Sequence, residues 1–401
     1  MSKPRGPDPF GVYIHIPYCL QRCTYCDFAT YVQTEIKPPE HYVSLVKKEV
    51  FNKRNIFKHR LDQGLDTIYF GGGTPSLIPA ELIVELISEL AKFGYRTRPD
   101  TEITIEINPA TVDEKKLETY LNAGINRFSV GAQSFSNRLL KMVHREHNSN
   151  QTIQTLELLK KYKLNFSFDL LFALPTQTLD ELRHDVHVAV ELGSKHISPY
   201  CLTVPEGHAL SKNRPLDEEQ LEMFNIIHTE LNKNNFSRYE ISNYATEGFE
   251  SKHNLLYWED SEYWGLGLSA HSYSKKTAWG SRFWNPNSFE LYEKQNYAEN
   301  TFSGLMDYSS QQIENLEKHQ SLTDFCYTSL RLQKGLSVDK LVQKFGNPTF
   351  DLVSKITAPL LQQKLLTETN GHYVLTDAGV VISNQIFENF TFLKSNLSNL
   401  N

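Results

Sequence analysis

The 401-residue chain lacks several features that would assign it to a particular class. It has no run of about 18 apolar residues and no secretory signal in its short, polar N-terminus, so neither a membrane span nor export is predicted. Its net charge of −6 provides no basic surplus, which argues against a nucleic-acid partner. We therefore expect a cytoplasmic globular protein, for which peripheral contact with a membrane stays open.

Cysteine is scarce but unevenly placed. Cys201 and Cys326 stand alone and are interpreted as small buried apolar side chains or bystanders, whereas Cys19, Cys23 and Cys26 fall within eight residues. In a reducing compartment, such a tight group binds metal more readily than it forms disulfides.

The spacing C-x3-C-x2-C indicates the kind of metal site. Three thiolates on one loop can ligate three irons of a 4Fe–4S cluster and leave the fourth iron without a protein ligand. The alternative is a structural zinc site with His15 as the fourth ligand, although this spacing is unusual for zinc.

The first half of the chain alternates between strand and helix patterns. Six runs typical of β-strands lie at 11–17, 67–72, 102–108, 127–133, 165–174 and 196–202. Amphipathic helical stretches separate them, and the last opens with a capping box from Thr178 to Glu181 and ends at Gly193. Because six units are too few for a closed eight-stranded barrel, we predict an open, partial (β/α)6 barrel of α/β class with reactive groups at the strands' carboxyl ends.

The pattern divides the chain into three parts. Residues 1–205 form the predicted barrel, residues 206–310 an extension rich in aromatics and Asn, and residues 311–401 a C-terminal α+β part. In the last part, helical patterns precede a hairpin signal at Asn370-Gly371, which predicts a small winged-helix-like module. Without a basic surplus, we interpret this module as a packing or partner surface and not as a DNA reader.

The cysteine motif and its surroundings resemble the radical S-adenosylmethionine (SAM) superfamily. An aromatic residue, Tyr25, precedes the last cysteine, as in that family's signature, and the sequence Tyr13-Ile-His-Ile-Pro-Tyr resembles the oxygen-independent coproporphyrinogen dehydrogenase branch, the HemN/HemW family. The resemblance extends through most of residues 11–390. It implies a 4Fe–4S cluster whose open iron is chelated by SAM.

The resemblance also implies which residues surround SAM. They are Tyr13, Tyr25, Gly72, Gly73, Thr74, Glu106, Gln133, Arg145 and Asp169. The glycine segment holds the methionyl amine, where backbone N–H and C=O groups can bond the ligand. Glu106 matches an acid that bonds the ribose hydroxyls, and Arg145 matches the arginine that pairs with the SAM carboxylate. Ala173 departs from the family's glycine, which is tolerable if φ there is below zero.

Two features distinguish the branches of this family. The dehydrogenases carry a further Cys two positions after the triad, where this chain has Phe28. Residues 253–258, His-Asn-Leu-Leu-Tyr-Trp, match the HNxxYW segment of the haem-binding HemW proteins. The match implies haem as a third cofactor, with His253 as an axial ligand and His271 as its rival. From the residues alone there is an alternative, in which His253 and Asn254 cap a helix or strand and Tyr257 and Trp258 pack in the apolar core.

Three functions remain open at this stage. The resemblance implies a haem chaperone that transfers haem to apo-acceptors, plausibly respiratory or cytochrome-type proteins. The alternative is the dehydrogenase itself, a radical SAM enzyme that decarboxylates two propionates of coproporphyrinogen III. The third is a SAM-dependent enzyme acting on an unrelated small molecule, so the sequence does not decide whether the chain is an enzyme.

Overall fold

The computed structural model describes residues 8–297 and 304–397. The expectation that the N-terminus carries no signal falls partly on residues 1–7, which lie outside the described residues. None of the helices described combines the length and the apolar character that a membrane crossing requires.

The strands within the described residues range from two to eleven residues in length. They are β1 (Phe10–Ile16), β2 (Tyr18–Cys19), β3 (Tyr31–Val32), β4 (Leu65–Gly72), β5 (Thr97–Ile107), β6 (Arg127–Gln133), β7 (Asn165–Phe172), β8 (His196–Cys201), β9 (Ser237–Glu240), β10 (Asn243–Ala245), β11 (Glu262–Leu266), β12 (His271–Ser274), β13 (Ser281–Trp284), β14 (Ile313–Asn315), β15 (Leu336–Ser337), β16 (Leu366–Thr369) and β17 (His372–Leu375).

Helices connect most of these strands. The α-helices of the described residues are α1 (Pro39–Lys53), α2 (Ala80–Lys92), α3 (Glu114–Asn122), α4 (Asn137–Met142), α5 (Ser149–Lys161), α6 (Leu179–Glu191), α7 (Asp217–Lys233), α8 (Lys252–Trp258), α9 (Phe289–Tyr297), α10 (Lys318–Arg331), α11 (Val338–Phe345), α12 (Asn347–Gln362), α13 (Asp377–Val381), α14 (Ser383–Glu388) and α15 (Lys394–Leu397). Short 3-10 helices lie at Lys58–Gln63, Pro75–Leu77, Ala209–Ser211 and Leu305–Asp307.

One curved sheet organises the larger part of the molecule. Its central strands β1, β4, β5, β6, β7 and β8 pair in parallel, in that order. On one side β11 joins β1 in parallel and continues into antiparallel β12, β13 and β14, and on the other side β10 and β9 follow β8. The strand order does not return to its start, so the predicted open, partial (β/α)6 barrel is confirmed. Each predicted run corresponds to one of the six central strands.

Local signals in the sequence account for several element ends. The capping box of α6 is confirmed, because the Thr178 hydroxyl accepts the Glu181 N–H at 3.2 Å and the Glu181 carboxylate accepts the Thr178 N–H at 3.0 Å. The hairpin of β16 and β17 is also confirmed. Asn370 and Gly371 turn it with φ of +52° and +74°.

Two large apolar cores and a small cluster around Leu139, Leu171 and Leu202 stabilise the described residues. The larger core includes side chains from Phe10 to Tyr308, whereas the smaller core contains side chains from Leu322 to Phe392. Strands β11 to β14 therefore continue the barrel sheet and its core, although the sequence pattern separated residues 206–310 from the barrel. The smaller core lies between helices and the β15–β17–β16 sheet.

The backbone at Ala173 does not have the negative φ under which an alanine was expected to be tolerated there. This residue follows β7, is fully buried, and has φ of +57°, in the left-handed region that an alanine enters only at a cost. The methyl group is therefore accommodated by strain and not by an ordinary extended backbone.

We predict that Ala173→Gly raises the free energy of unfolding by about 1 kcal/mol, because glycine adopts this φ without steric cost. Chemical denaturation measures the change. The matched control is Ala189→Gly within α6, where the same substitution should lower stability by about 1 kcal/mol. A loss of stability at both positions would contradict the assignment of strain to Ala173.

Candidate functional site

A cavity of about 440 Å³ lies where the carboxyl ends of β4 to β8 meet the cysteine loop after β1. This is the edge at which the alternation of strands and helices predicted the reactive groups. All three clustered cysteines border it. So do most residues implied for SAM, namely Tyr25, Gly72, Gly73, Thr74, Glu106, Gln133, Arg145 and Asp169. Tyr13 borders a neighbouring cavity instead.

The cysteine loop is fixed to the glycine segment by backbone hydrogen bonds. Gly73 N–H donates to the Ile16 carbonyl at 2.8 Å, and Thr74 N–H donates to the Tyr18 carbonyl at 2.7 Å. A Cβ atom at Gly73 would lie 2.6 Å from the Tyr18 oxygen, so only glycine permits this approach. The glycine segment at the end of β4 therefore positions the cysteine loop that follows β1.

These bonds change the predicted role of the glycine segment. The sequence predicted that both N–H and C=O groups there could bond a ligand, yet the N–H groups of Gly72, Gly73 and Thr74 are all engaged within the protein. The Gly73 carbonyl accepts no hydrogen bond from the described residues. An accepting carbonyl suits a ligand amine, so the segment can bind an amino group but not a carboxylate.

The donor geometry fits a cluster better than a single ion. Within the described residues no three His, Cys, Asp or Glu side chains lie close enough to hold one metal ion. Three thiolates on one zinc would have to approach to roughly 4 Å, since each Zn–S bond is about 2.3 Å, whereas each thiolate of a 4Fe–4S site ligates a separate iron. His15 is also engaged, with its ring nitrogens 3.0 Å from the Tyr13 hydroxyl and 2.9 Å from the Ala29 carbonyl. The zinc alternative therefore loses its fourth ligand.

Arg145 places a half-buried cation beside the cysteines. One terminal nitrogen lies 3.6 Å from Cys23 Sγ, and the other donates to Asn108 Oδ1 at 2.6 Å and to the Gly131 carbonyl. Its Nε atom is buried and has no partner among the described residues. A guanidinium held next to the cluster ligands with a donor to spare fits the carboxylate of an amino acid that chelates the open iron.

Two carboxyl groups line the barrel side of the cavity. Glu106 accepts the Tyr69 hydroxyl at 2.8 Å and the Gly72 N–H at 3.1 Å, and burial raises its pKa to about 7. Burial likewise raises the pKa of Asp169 to about 6. Both groups thus change protonation near neutral pH, and Glu106 retains lone pairs that can accept ribose hydroxyls.

Both ring nitrogens of His253 are engaged within the protein. It is the second residue of α8, is 1% exposed, and has its ring nitrogens 2.6 Å from Thr67 Oγ1 and 2.9 Å from the Tyr257 hydroxyl. The N-cap of α8 is Ser251, so His253 and Asn254 do not cap this helix. Neither nitrogen is available to an iron in this arrangement, so the structure argues against direct ligation by His253.

The rival histidine is placed differently. His271 begins β12, is exposed, and makes no side-chain hydrogen bond to any described residue. Its ring stacks on Trp284 with centroids 5.6 Å apart, and burial of part of the ring lowers its pKa, which favours the neutral form that binds metals. It borders two cavities, one of which it shares with Phe28 and Tyr257.

Sequence analysis missed several residues of the main cavity. Cys201, interpreted as buried or as a bystander, is exposed at the end of β8 and borders the cavity, whereas Cys326 is buried as expected. Arg127 and His196 also border it from inside the barrel. The rule that reactive groups lie at strand ends would have identified Cys201, but nothing in the sequence signals the other two.

Known proteins resemble this chain over nearly its whole length. Residues 13–189 match the model of the Radical SAM superfamily and residues 316–382 that of the HemN C-terminal domain. The chain is 32% identical over 391 residues to Heme chaperone HemW of Lactococcus lactis, with 95% of this chain and 97% of the relative covered. It is 31% identical to the protein of that name from Bacillus subtilis, with 95% and 98% covered.

A solved structure supports the same fold. Coproporphyrinogen III oxidase (HemN) from Escherichia coli, described as a radical SAM enzyme, superposes with a TM-score of 0.77 over 96% of this chain and 90% of that chain. The two sequences are 19% identical, so the likeness concerns the fold, a radical SAM barrel with a C-terminal extension.

We predict that SAM affinity falls as pH decreases through about 7, because protonated Glu106 loses acceptor capacity for the ribose hydroxyls. The decrease is at most about tenfold per pH unit, and Asp169 titrates at lower pH. Calorimetric titration of SAM into the reconstituted protein between pH 6 and 8.5 measures it.

Two variants separate this effect from other titrating groups. Glu106→Gln should bind SAM more weakly and without this pH dependence. Glu146→Gln, which changes another glutamate of the same cavity, should retain it. The same slope in Glu106→Gln as in the wild type would exclude Glu106 as its source.

Proposed function

The chain belongs to the HemW family of radical SAM proteins, and from this premise we propose that it binds haem and passes it to apo-acceptor proteins. The observation that carries the proposal is similarity along 95% of the chain to proteins named heme chaperones. We further propose that the acceptors are respiratory or cytochrome-type proteins and that transfer begins in the cytoplasm, where the cysteines stay reduced.

We propose that Cys19, Cys23 and Cys26 hold a 4Fe–4S cluster and that SAM occupies the adjoining cavity. The cluster and SAM together supply one-electron cleavage chemistry when bound. The chain's own groups orient SAM: the Gly73 carbonyl accepts the amine, Arg145 pairs with the carboxylate and Glu106 accepts the ribose hydroxyls. Of the remaining residues implied for the site, Tyr25, Gln133 and Asp169 line the same cavity, and Tyr13 borders the neighbouring one.

The alternative function is oxidative decarboxylation of coproporphyrinogen III. The arrangement of Arg145, Glu106 and Asp169 around the cavity is compatible with a catalytic radical SAM site. Against it stands Phe28, which occupies the position of the dehydrogenases' further cysteine and is 65% exposed. An exposed phenyl ring at the edge of the site suits contact with a flat apolar ligand more than it suits cluster chemistry.

We propose that the haem iron is bound by His271 and not by His253. The ring nitrogens of His271 have no hydrogen-bond partner among the described residues and the side chain borders two cavities, while His253 is hydrogen-bonded on both nitrogens inside the fold. Tyr257 and Phe28 border the same cavity as His271 and offer flat apolar surface to a porphyrin.

Haem titration tests this function and the ligand together. The wild-type protein should bind haem with a defined Soret band, and His271→Ala should shift that band and weaken binding by about tenfold or more, since it removes the axial ligand. In His253→Ala the band position should stay unchanged, although the loss of two buried hydrogen bonds should lower stability by about 1–3 kcal/mol. A wild-type protein that does not bind haem would contradict the proposed function.

An activity assay separates the chaperone from the enzyme. Anaerobically reconstituted protein should not convert coproporphyrinogen III into protoporphyrinogen IX in the presence of SAM and a reductant. HemN serves as the positive control. Multiple turnovers by this chain would favour the alternative function.

A further inference from the structure

Arg127 is a buried cation without a partner. It is 2% exposed on the barrel wall, and its guanidinium makes no hydrogen bond and no ion pair with any of the described residues. Burying an unpaired charge is costly, so natural proteins pair such groups or use them to bind a ligand.

The acids near Arg127 do not neutralise it by contact. Glu106 gives its oxygens to Tyr69 and Gly72, and Asp169 bonds Ser198. Neither carboxylate lies within 4.0 Å of the Arg127 guanidinium, whereas Arg145 is held by several partners. The two acids interact with Arg127 electrostatically but form no ion pair with it. The N–H donors of Arg127 therefore remain available to the cavity that this residue borders.

A second unpaired donor borders the same cavity. His196 is 1% exposed, with Nε2 2.8 Å from the Tyr239 hydroxyl and Nδ1 without a partner. The Tyr239 hydroxyl can donate its proton to His196 Nε2. In the neutral ring the remaining hydrogen is then on Nδ1, which becomes a buried donor with no acceptor.

Two unpartnered donors, one of them a guanidinium, require an acceptor with negative charge. A carboxylate matches both the planar fork of arginine and the additional N–H of His196. The SAM carboxylate does not supply it, because that group is implied to lie against Arg145 beside the cluster. The missing acceptor therefore belongs to a second ligand in the barrel.

We propose that Arg127 and His196 bind a propionate carboxylate of a tetrapyrrole. This inference rests on the proposed function, which makes a tetrapyrrole the ligand of the protein. It adds a specific contact on the barrel wall, separate from the iron ligand and from the residues around SAM. Haem and its iron-free analogues carry the same propionates, so this contact recognises the carboxylate independently of the iron ligand.

Three porphyrins distinguish the carboxylate from the iron. Haemin, iron-free mesoporphyrin IX and haemin dimethyl ester are titrated separately into the reconstituted full chain, with absorbance and quenching of protein fluorescence as readouts. The wild-type protein should bind haemin about tenfold or more tightly than its dimethyl ester, and mesoporphyrin IX should lose only the contribution of the iron ligand. Arg127→Met should remove this preference, Arg127→Lys should restore part of it, and the surface control Arg138→Gln should retain all of it.

Stability of the ligand-free protein provides an independent test. Because Arg127 has no hydrogen-bond or ion-pair partner in the described part of the chain, Arg127→Met should be at least as stable as the wild type in thermal denaturation. A variant clearly less stable than the wild type would overturn the inference, since it would identify Arg127 as a structural cation.

Binding results separate this inference from the proposed function. Equal affinity of the wild type for haemin and its dimethyl ester, or a preference that survives in Arg127→Met, would overturn the carboxylate site and leave haem binding intact. Failure of the wild type to bind both haemin and mesoporphyrin IX would overturn the haem function and this inference together.

Discussion

Two backbone hydrogen bonds, from Gly73 to Ile16 and from Thr74 to Tyr18, determine the geometry of the whole site. They fix the cysteine loop against the carboxyl edge of the sheet, so that three thiols face the same cavity as the side chains of four further strands. Any side chain at Gly73 would collide with the Tyr18 carbonyl and displace the loop. The three thiols and the groups proposed to bind SAM are therefore positioned by one contact between two strand ends.

The inside of the barrel is unusually polar for a protein core, and its charges are only partly compensated. Desolvation raises the pKa values of Glu106 and Asp169, while Arg127 is a buried cation and Arg145 a half-buried one. Such groups lower the stability of an empty protein. They become favourable when ligands supply the missing partners, which links the stability of this fold to occupancy of its cavity.

Sequence periodicity was sufficient to predict the sheet and the edge at which the three clustered cysteines lie, because strand ends in an open parallel barrel converge at one edge. It was insufficient for His253, whose environment depends on a hydrogen bond to Thr67, 186 residues away in the chain. The same limit applies to Arg127, since the absence of a partner is visible only when every neighbouring strand is in place. At Ala173 the residue substitution was recognised, but the positive φ that makes it costly was not.

Metal and sulfide analysis of anaerobically reconstituted protein tests the central claim most directly. Three thiolates that leave one iron open should yield about four irons and four sulfides per chain, and addition of SAM should change the electron paramagnetic resonance spectrum of the reduced cluster. Replacing Cys23 with alanine should abolish both results. A single zinc ion in place of iron and sulfide, with no response to SAM, would contradict the cluster and the functions that depend on it.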